Sequence, residues 1–194
     1  MRRWKSGVCV LAAMFLLTAC GEENLSVDTN TLYIKKDGTV TEASFELFDK
    51  EYYDAAELQS FVEEEVKNYN YRNVKEAVTV DRVEVTDKVA AAYLNYQSMD
   101  DYIAFNNADV FFGTVKEAMD AGYSFETGFL KYDKEEAAGI LDVTAESSNM
   151  VLILDASVDV RIDGTICYVS QNVQKKDKKN VSLTQGGLSY IIYK

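Results

Sequence analysis

The sequence predicts an α+β domain, a largely antiparallel sheet with one long helix and several short ones. Three features carry this expectation. Residues 31–48 and 150–193 hold β-branched and aromatic runs punctuated by Asp-Gly and Gly-Gly pairs. Residues 54–70 place apolar side chains at helical spacing over several turns. The stretch between 98 and 139 holds short segments, each opened by a residue pair suited to a helix cap. No long glycine-rich linker divides residues 31–194 and the chain has no proline, so one domain over that range is the economical reading.

Residues 31–36 and 39–48 flank Asp37-Gly38. Glycine accepts a positive φ without steric cost, so this pair predicts the first hairpin. Leu58, Phe61, Val62, Val66 and Tyr69 then form the apolar stripe of the long helix. Asp54 and Glu57 have capping-box spacing, and Tyr53 can staple onto Leu58. Glu63, Glu64 and Glu65 are consecutive and point in different directions around a helix, which suits a wet face and not a metal cluster. Residues 78–85 alternate until a slip at Asp81-Arg82, for which a bulge would account, and residues 89–96 offer a partner strand.

Ser98 with Asp101, Thr114 with Glu117 and Asp133 with Glu136 each open a short helix; Gly122 closes the second and Gly139 the third. Val110-Phe111-Phe112 is expected to be buried, and the continuous apolar run 150–154 reads as a strand covered on both faces. Residues 158–162 alternate, turn at Asp163-Gly164 and continue to 170, a second Asp-Gly hairpin. Lys175 to Lys179 make a polar loop before 181–183, and residues 188–193 form the last strand after Gly186-Gly187.

The N-terminus has a different character. Arg2, Arg3 and Lys5 precede an apolar stretch that Glu22 and Glu23 end too early for a membrane-spanning helix. A basic region followed by a short apolar region is the pattern of an export signal. At its end, Leu17-Thr18-Ala19-Cys20 resembles the lipobox of bacterial prolipoproteins. That resemblance implies a signal peptide over 1–19, cleavage before Cys20, and a diacylglyceryl group with palmitate-type chains on the Cys20 sulfur. Two acyl chains satisfy the two-signal requirement for stable attachment. Residues 20–30 read as a lipidated polar tether.

Loss of residues 1–19 leaves 175 residues, and loss of Arg2, Arg3 and Lys5 leaves 17 basic residues against 32 acidic ones, a charge of −15. Such a surface repels nucleic acid, so no nucleic-acid partner is expected. With no histidine in the chain, Ser-His-Asp and Cys-His catalysis and histidine-ligated zinc are excluded. Cys9 leaves with the signal and Cys20 is acylated, so Cys167 alone remains; no internal disulfide can form, and its apolar run suits a buried filler. Asp155, Asp159 and Asp163 recur every four residues but lack a calcium-loop signature, and no metal or other cofactor is expected. The lysine cluster reads as a solvated hairpin tip, with contact to anionic polymer or lipid as the sharper alternative.

Residues 31–40 and the Phe48-Asp49-Lys50-Glu51-Tyr52-Tyr53 stretch resemble uncharacterised lipoproteins of anaerobic Gram-positive bacteria. This implies a location, not a mechanism: the extracytoplasmic face of the cell membrane. In a Gram-negative cell, the outer membrane is open to it, because Gly21 stands where an inner-membrane retention aspartate would be. The expected function is a non-catalytic binding module of the envelope, acting on an envelope protein or polymer. The alternative is a carboxylate-dependent hydrolase, with glycans as one substrate class. For the solute-capture lipoproteins that feed transporters, the chain is short and shows no hinge between lobes.

Overall fold

The computed structural model describes Leu25 and residues 27–194. The signal over 1–19, its cleavage motif Leu17-Thr18-Ala19-Cys20 and the acylated Cys20 lie outside the described residues.

Asp37-Gly38 reverses the chain between β1 (Thr31–Ile34) and β2 (Val40–Leu47), as the sequence predicts. Gly38 takes a φ of +87°, and Asp37 Oδ1 accepts from Thr39 N at 3.0 Å and Thr39 Oγ1 at 2.7 Å. Helix α1 (Ala55–Asn73) follows, with Asp54 Oδ1 accepting from Ala56 N and Glu57 N at 2.7 and 3.0 Å. β3 (Val78–Thr86) and β4 (Val89–Tyr96) pair with a register shift between Val80 and Arg82, the bulge that the slipped alternation called for. Ser98 caps α2 (Met99–Asn106), and Thr114 with Glu117 forms a complete capping box on α3 (Val115–Asp120) after β5 (Val110–Thr114).

β6 (Phe129–Lys131) and β7 (Ala137–Ala138) occupy the region expected to be a third short helix. That expectation is overturned: the Asp133 to Glu136 segment is the tip of a tight hairpin, with Glu135 at φ 56° and Lys131 N bonded to Glu136 O at 2.8 Å. Gly139 opens α4 (Ile140–Thr144) instead of closing a helix. The chain ends in β8 (Met150–Leu154), β9 (Val158–Ile162), β10 (Ile166–Ser170), β11 (Gln174–Lys175), β12 (Asn180–Leu183) and β13 (Ser189–Tyr193).

These strands form two sheets, ordered β11-β12-β9-β1-β2-β4-β3 and β5-β8-β13-β10-β6-β7. The α+β assignment is therefore corrected: among the described residues the fold is mostly β, two sheets of seven and six strands with four helices around them. Its physical reason lies in what α1 buries. Only Val66 and Tyr69 of that helix are buried, so α1 covers one end of the first sheet and builds no layer of its own. The apolar area comes from strand alternation instead. Leu32, Ile34, Val40 and Val160 of the first sheet meet Leu152, Ile166, Val169 and Ile191 of the second in one continuous core.

The second Asp-Gly hairpin is also corrected. β9 lies in the first sheet and β10 in the second, so Asp163-Gly164 is a corner between sheets. A Cβ on Gly164 would stand 2.8 Å from the Tyr193 ring and 2.9 Å from the Lys194 carbonyl oxygen, which is why glycine sits at this crossing. Pairing is antiparallel throughout except that β1 and β9 run parallel, Thr31 opposite Asp159.

The outer faces are covered separately. Val151, Ile153, Tyr190 and Ile192 of the second sheet pack under Val115 and Ala118 of α3, Val143 of α4, and Phe125. β8 is thus buried on both sides, as its continuous apolar run predicts. Leu25 and Val27 lie over Tyr33, Ala43, Ala91 and Tyr93 on the outer face of the first sheet. Arg82 Nη2 donates to Leu25 O at 2.9 Å, and Tyr93 OH donates to Val27 O at 3.3 Å. The segment read as a tether therefore contributes to the folded body, with Leu25 only 7% exposed.

Candidate functional site

Two features that stand apart in the sequence meet in the fold. The β11–β12 hairpin carries the lysine cluster at its tip, and this tip folds over Asp159 of β9 and Asp163 just after it. Lys176 pairs with Asp159, and Lys179 Nζ reaches Asp163 Oδ1 at 2.7 Å. Tyr33 OH donates to the other Asp163 oxygen at 2.6 Å. Asp155 accepts from Gly186 N at 2.7 Å. Burial pushes Asp159 up, but bonds from Lys176, Ser182 and Thr29 outweigh it and hold the carboxyl below its usual range. The Lys179 bond, then that of Tyr33, holds Asp163 low as well. The three aspartates are thus engaged in the fold, and among the described residues no three His, Cys, Asp or Glu side chains are placed to hold a metal ion.

A second polar group lies on the inner side of the same sheet, at Glu42 of β2, level with Leu32 of β1 and Val160 of β9. Tyr96 OH donates to Glu42 at 2.5 Å, Asn106 Nδ2 donates to the same oxygen at 3.1 Å, and Ser44 Oγ donates to the other at 3.1 Å. Burial, then the Glu42 charge, pushes the Tyr96 and Tyr102 hydroxyls well above their ordinary range, so both stay neutral. Sequence reasoning missed this group. Its one local signal was parity: two residues beyond the buried Val40, Glu42 has to point to the same side of the strand.

Among the described residues Asp101 is the one buried carboxyl. Lys75 Nζ approaches it at 2.8 Å and Ser98 Oγ at 2.7 Å, which overcome the penalty of burial and hold it low. This contact fastens the start of α2 beneath the end of α1.

The described residues line several surface clefts. One of about 350 Å³ lies between Asn30, Phe45, Ser157 and Asp159, and a smaller one of about 160 Å³ adjoins it beside Glu42 and Tyr102. A third, about 310 Å³, runs past Cys167 and Asp133. The fourth, about 320 Å³, sits where the ends of the two sheets meet, floored by Ile34, Phe112, Met150 and Tyr193 and rimmed by Lys35, Lys36 and Lys194. Burial raises the Tyr193 hydroxyl to about 12, so it too stays neutral. Each cleft is lined by a single carboxylate side chain, respectively Asp159, Glu42, Asp133 and Asp163.

That arrangement limits the chemistry. Glycoside hydrolysis needs two carboxyls facing one bond, one of them with a raised pKa. Asp37, Asp101, Glu117, Asp159, Asp163 and Asp177 are all held low, the direction opposite to a proton donor. Cys167 is half-buried, not buried, and its burial pushes the thiol up, away from a nucleophilic thiolate. The fourth cleft is the best-formed place for a small ligand, because an apolar floor with a few polar groups at the rim is the usual make-up of a binding pocket. Among the described residues no helix is long and apolar enough to cross a membrane. No protein-family model, curated protein or solved structure matches the chain.

Proposed function

We propose that the chain is a lipoprotein anchored on the extracytoplasmic face of a membrane through diacylglycerol on Cys20, and that its folded domain is a non-catalytic binding module of the cell envelope. The observation that carries this reading is Leu17-Thr18-Ala19-Cys20 directly after a basic and then an apolar segment. Two findings support the binding role over the hydrolase. Each of these clefts has one carboxylate side chain in its own lining, Asp159 and Glu42 belonging to two adjoining ones, and the carboxyls whose values shift are held low, Asp159 among them. The cleft at the sheet ends, apolar within and lysine-rimmed, is where the module takes an anionic group of an envelope protein or polymer.

The test is metabolic. Labelled fatty acid enters the wild-type chain and fails to enter Cys20→Ala. Equal labelling of the two, or a wild-type chain that keeps residues 1–19 in the membrane fraction, would end the anchor reading. For the cleft, Lys36→Glu is expected to weaken capture of anionic envelope polymer while leaving the fold intact.

A further inference from the structure

We infer that the end of the first sheet's outer face at Leu47 and Val89, together with the aromatic loop at Phe48, Tyr52 and Tyr53 that follows β2 there, rests on the lipid surface. This inference relies on the Cys20 anchor proposed above, because the length of the tether sets the geometry. Cys20 and Leu25 are five residues apart, which spans at most roughly 17 Å even when fully extended. Leu25 is fixed on the outer face of the first sheet by packing and by the Arg82 bond. The second sheet and its helices lie beyond, about 10 Å further for each layer. The tether is therefore long enough to let the first sheet's side, and not the far side, reach the membrane.

Which end of that face meets lipid follows from register. Strand alternation places Ala43, Phe45 and Leu47 of β2 on the outer face, opposite Tyr93, Ala91 and Val89 of β4. Leu25 and Val27 cover the first two of these rows. The third lies about 14 Å from Ala43 along the strand at 3.4 Å per residue. It is uncovered: Leu47 is 65% exposed and Val89 37%. The chain leaves β2 there into the loop, where the Phe48 and Tyr53 rings stand 4.7 Å apart, Tyr52 meets Tyr53 at 5.0 Å, and Tyr52 is 77% exposed. The opposite end of the face has a different character, with Thr41 bonded to Asn95 at 2.6 Å and Tyr33 bonded to Asp163.

An apolar row continued by tyrosines suits the boundary between acyl chains and water, where an amphipathic ring keeps its hydroxyl wet. The flanking turns carry Asp49, Lys50, Glu51, Asp87 and Lys88, charges of both signs, so a zwitterionic headgroup layer is the matching surface.

The sequence supplies its own reporter. Trp4 is the only tryptophan, so the processed chain has none and a single introduced indole can be read without background. Tyr52→Trp and Leu141→Trp are prepared as acylated chains in phosphatidylcholine vesicles with brominated acyl chains. Leu141 is also 81% exposed and belongs to α4 on the far side. Tyr52→Trp is expected to shift its emission to shorter wavelength and lose intensity, and Leu141→Trp to do neither. Equal quenching of both, or an unquenched Tyr52→Trp, overturns the orientation. Mass spectrometry of the same samples separates the two readings. An unmodified Cys20 overturns anchor and orientation together, whereas an acylated chain with unquenched Tyr52→Trp overturns the orientation alone.

Discussion

The two sheets cover their outer faces in different ways. The second sheet lays Ile153, Tyr190 and Ile192 beneath two short helices and Phe125, so its outer side is a closed second core. Among the described residues the first sheet is covered by Leu25, Val27 and the Arg82 side chain stacked over Tyr93 at 3.3 Å, and beyond that strap Leu47 and Val89 are exposed. Cover built from helices is part of the cooperative fold. A short strap can lift by itself, because few contacts hold it. The same architecture thus gives one face to stability and leaves the other available for contact.

The largest expected effect is on the closed face. Ile153→Ala empties a fully packed site and should cost about 2–5 kcal/mol in urea unfolding. A cost below that of Leu25→Ala would reverse the comparison. Leu25→Ala should cost less, roughly 1–2 kcal/mol, because the strap can lift and water can fill its place. Faster amide exchange confined to β3 and β4 would be its signature.

Arg82→Ala removes the stacked guanidinium and the bond to Leu25 O, and should cost about 1 kcal/mol while releasing the strap. Acid should loosen the first sheet before the second, since the aspartate–lysine contacts lie along β9. The Asp163 carboxyl is held low in the folded state. Its contribution is present above the unfolded carboxyl value of about 3.9, and is lost as pH falls through the folded value. Thermal melts from neutral to acid pH should show a smaller decline for Asp163→Asn than for the wild type, and an unchanged decline would remove Asp163 from the account. The smallest effect belongs to the open row. Leu47→Ser should alter unfolding by no more than about 0.5 kcal/mol, yet reduce lipid quenching at Tyr52→Trp.

Much of the local structure was legible before any coordinate. Glycine at position 38 has the positive φ that the hairpin needed, Asp54 caps α1, and the slip at Asp81-Arg82 is a bulge. The Asp133 to Glu136 spacing misled, because the same residues that cap a helix also favour tight turns. At the candidate site, the lysine cluster and the aspartate series were each visible, but their meeting was not. Lys179 and Asp163 are brought together by the pairing of β12 with β9, which no local pattern announces. Glu42, Tyr96 and Asn106 are joined in the same way across long separations in the chain.

The sequence by itself determined the turn at Asp37-Gly38, the alternation of the strands, the caps at Asp54, Ser98 and Thr114, and which catalytic classes lack their residues. These depend on backbone preference and side-chain chemistry within a few positions. Only the tertiary structure decided that β9 and β10 part company at Gly164, that β1 runs parallel to β9, and that the strands form two sheets instead of one. Those choices turn on which apolar faces can be buried against each other, and an Asp-Gly pair serves a corner as readily as a hairpin.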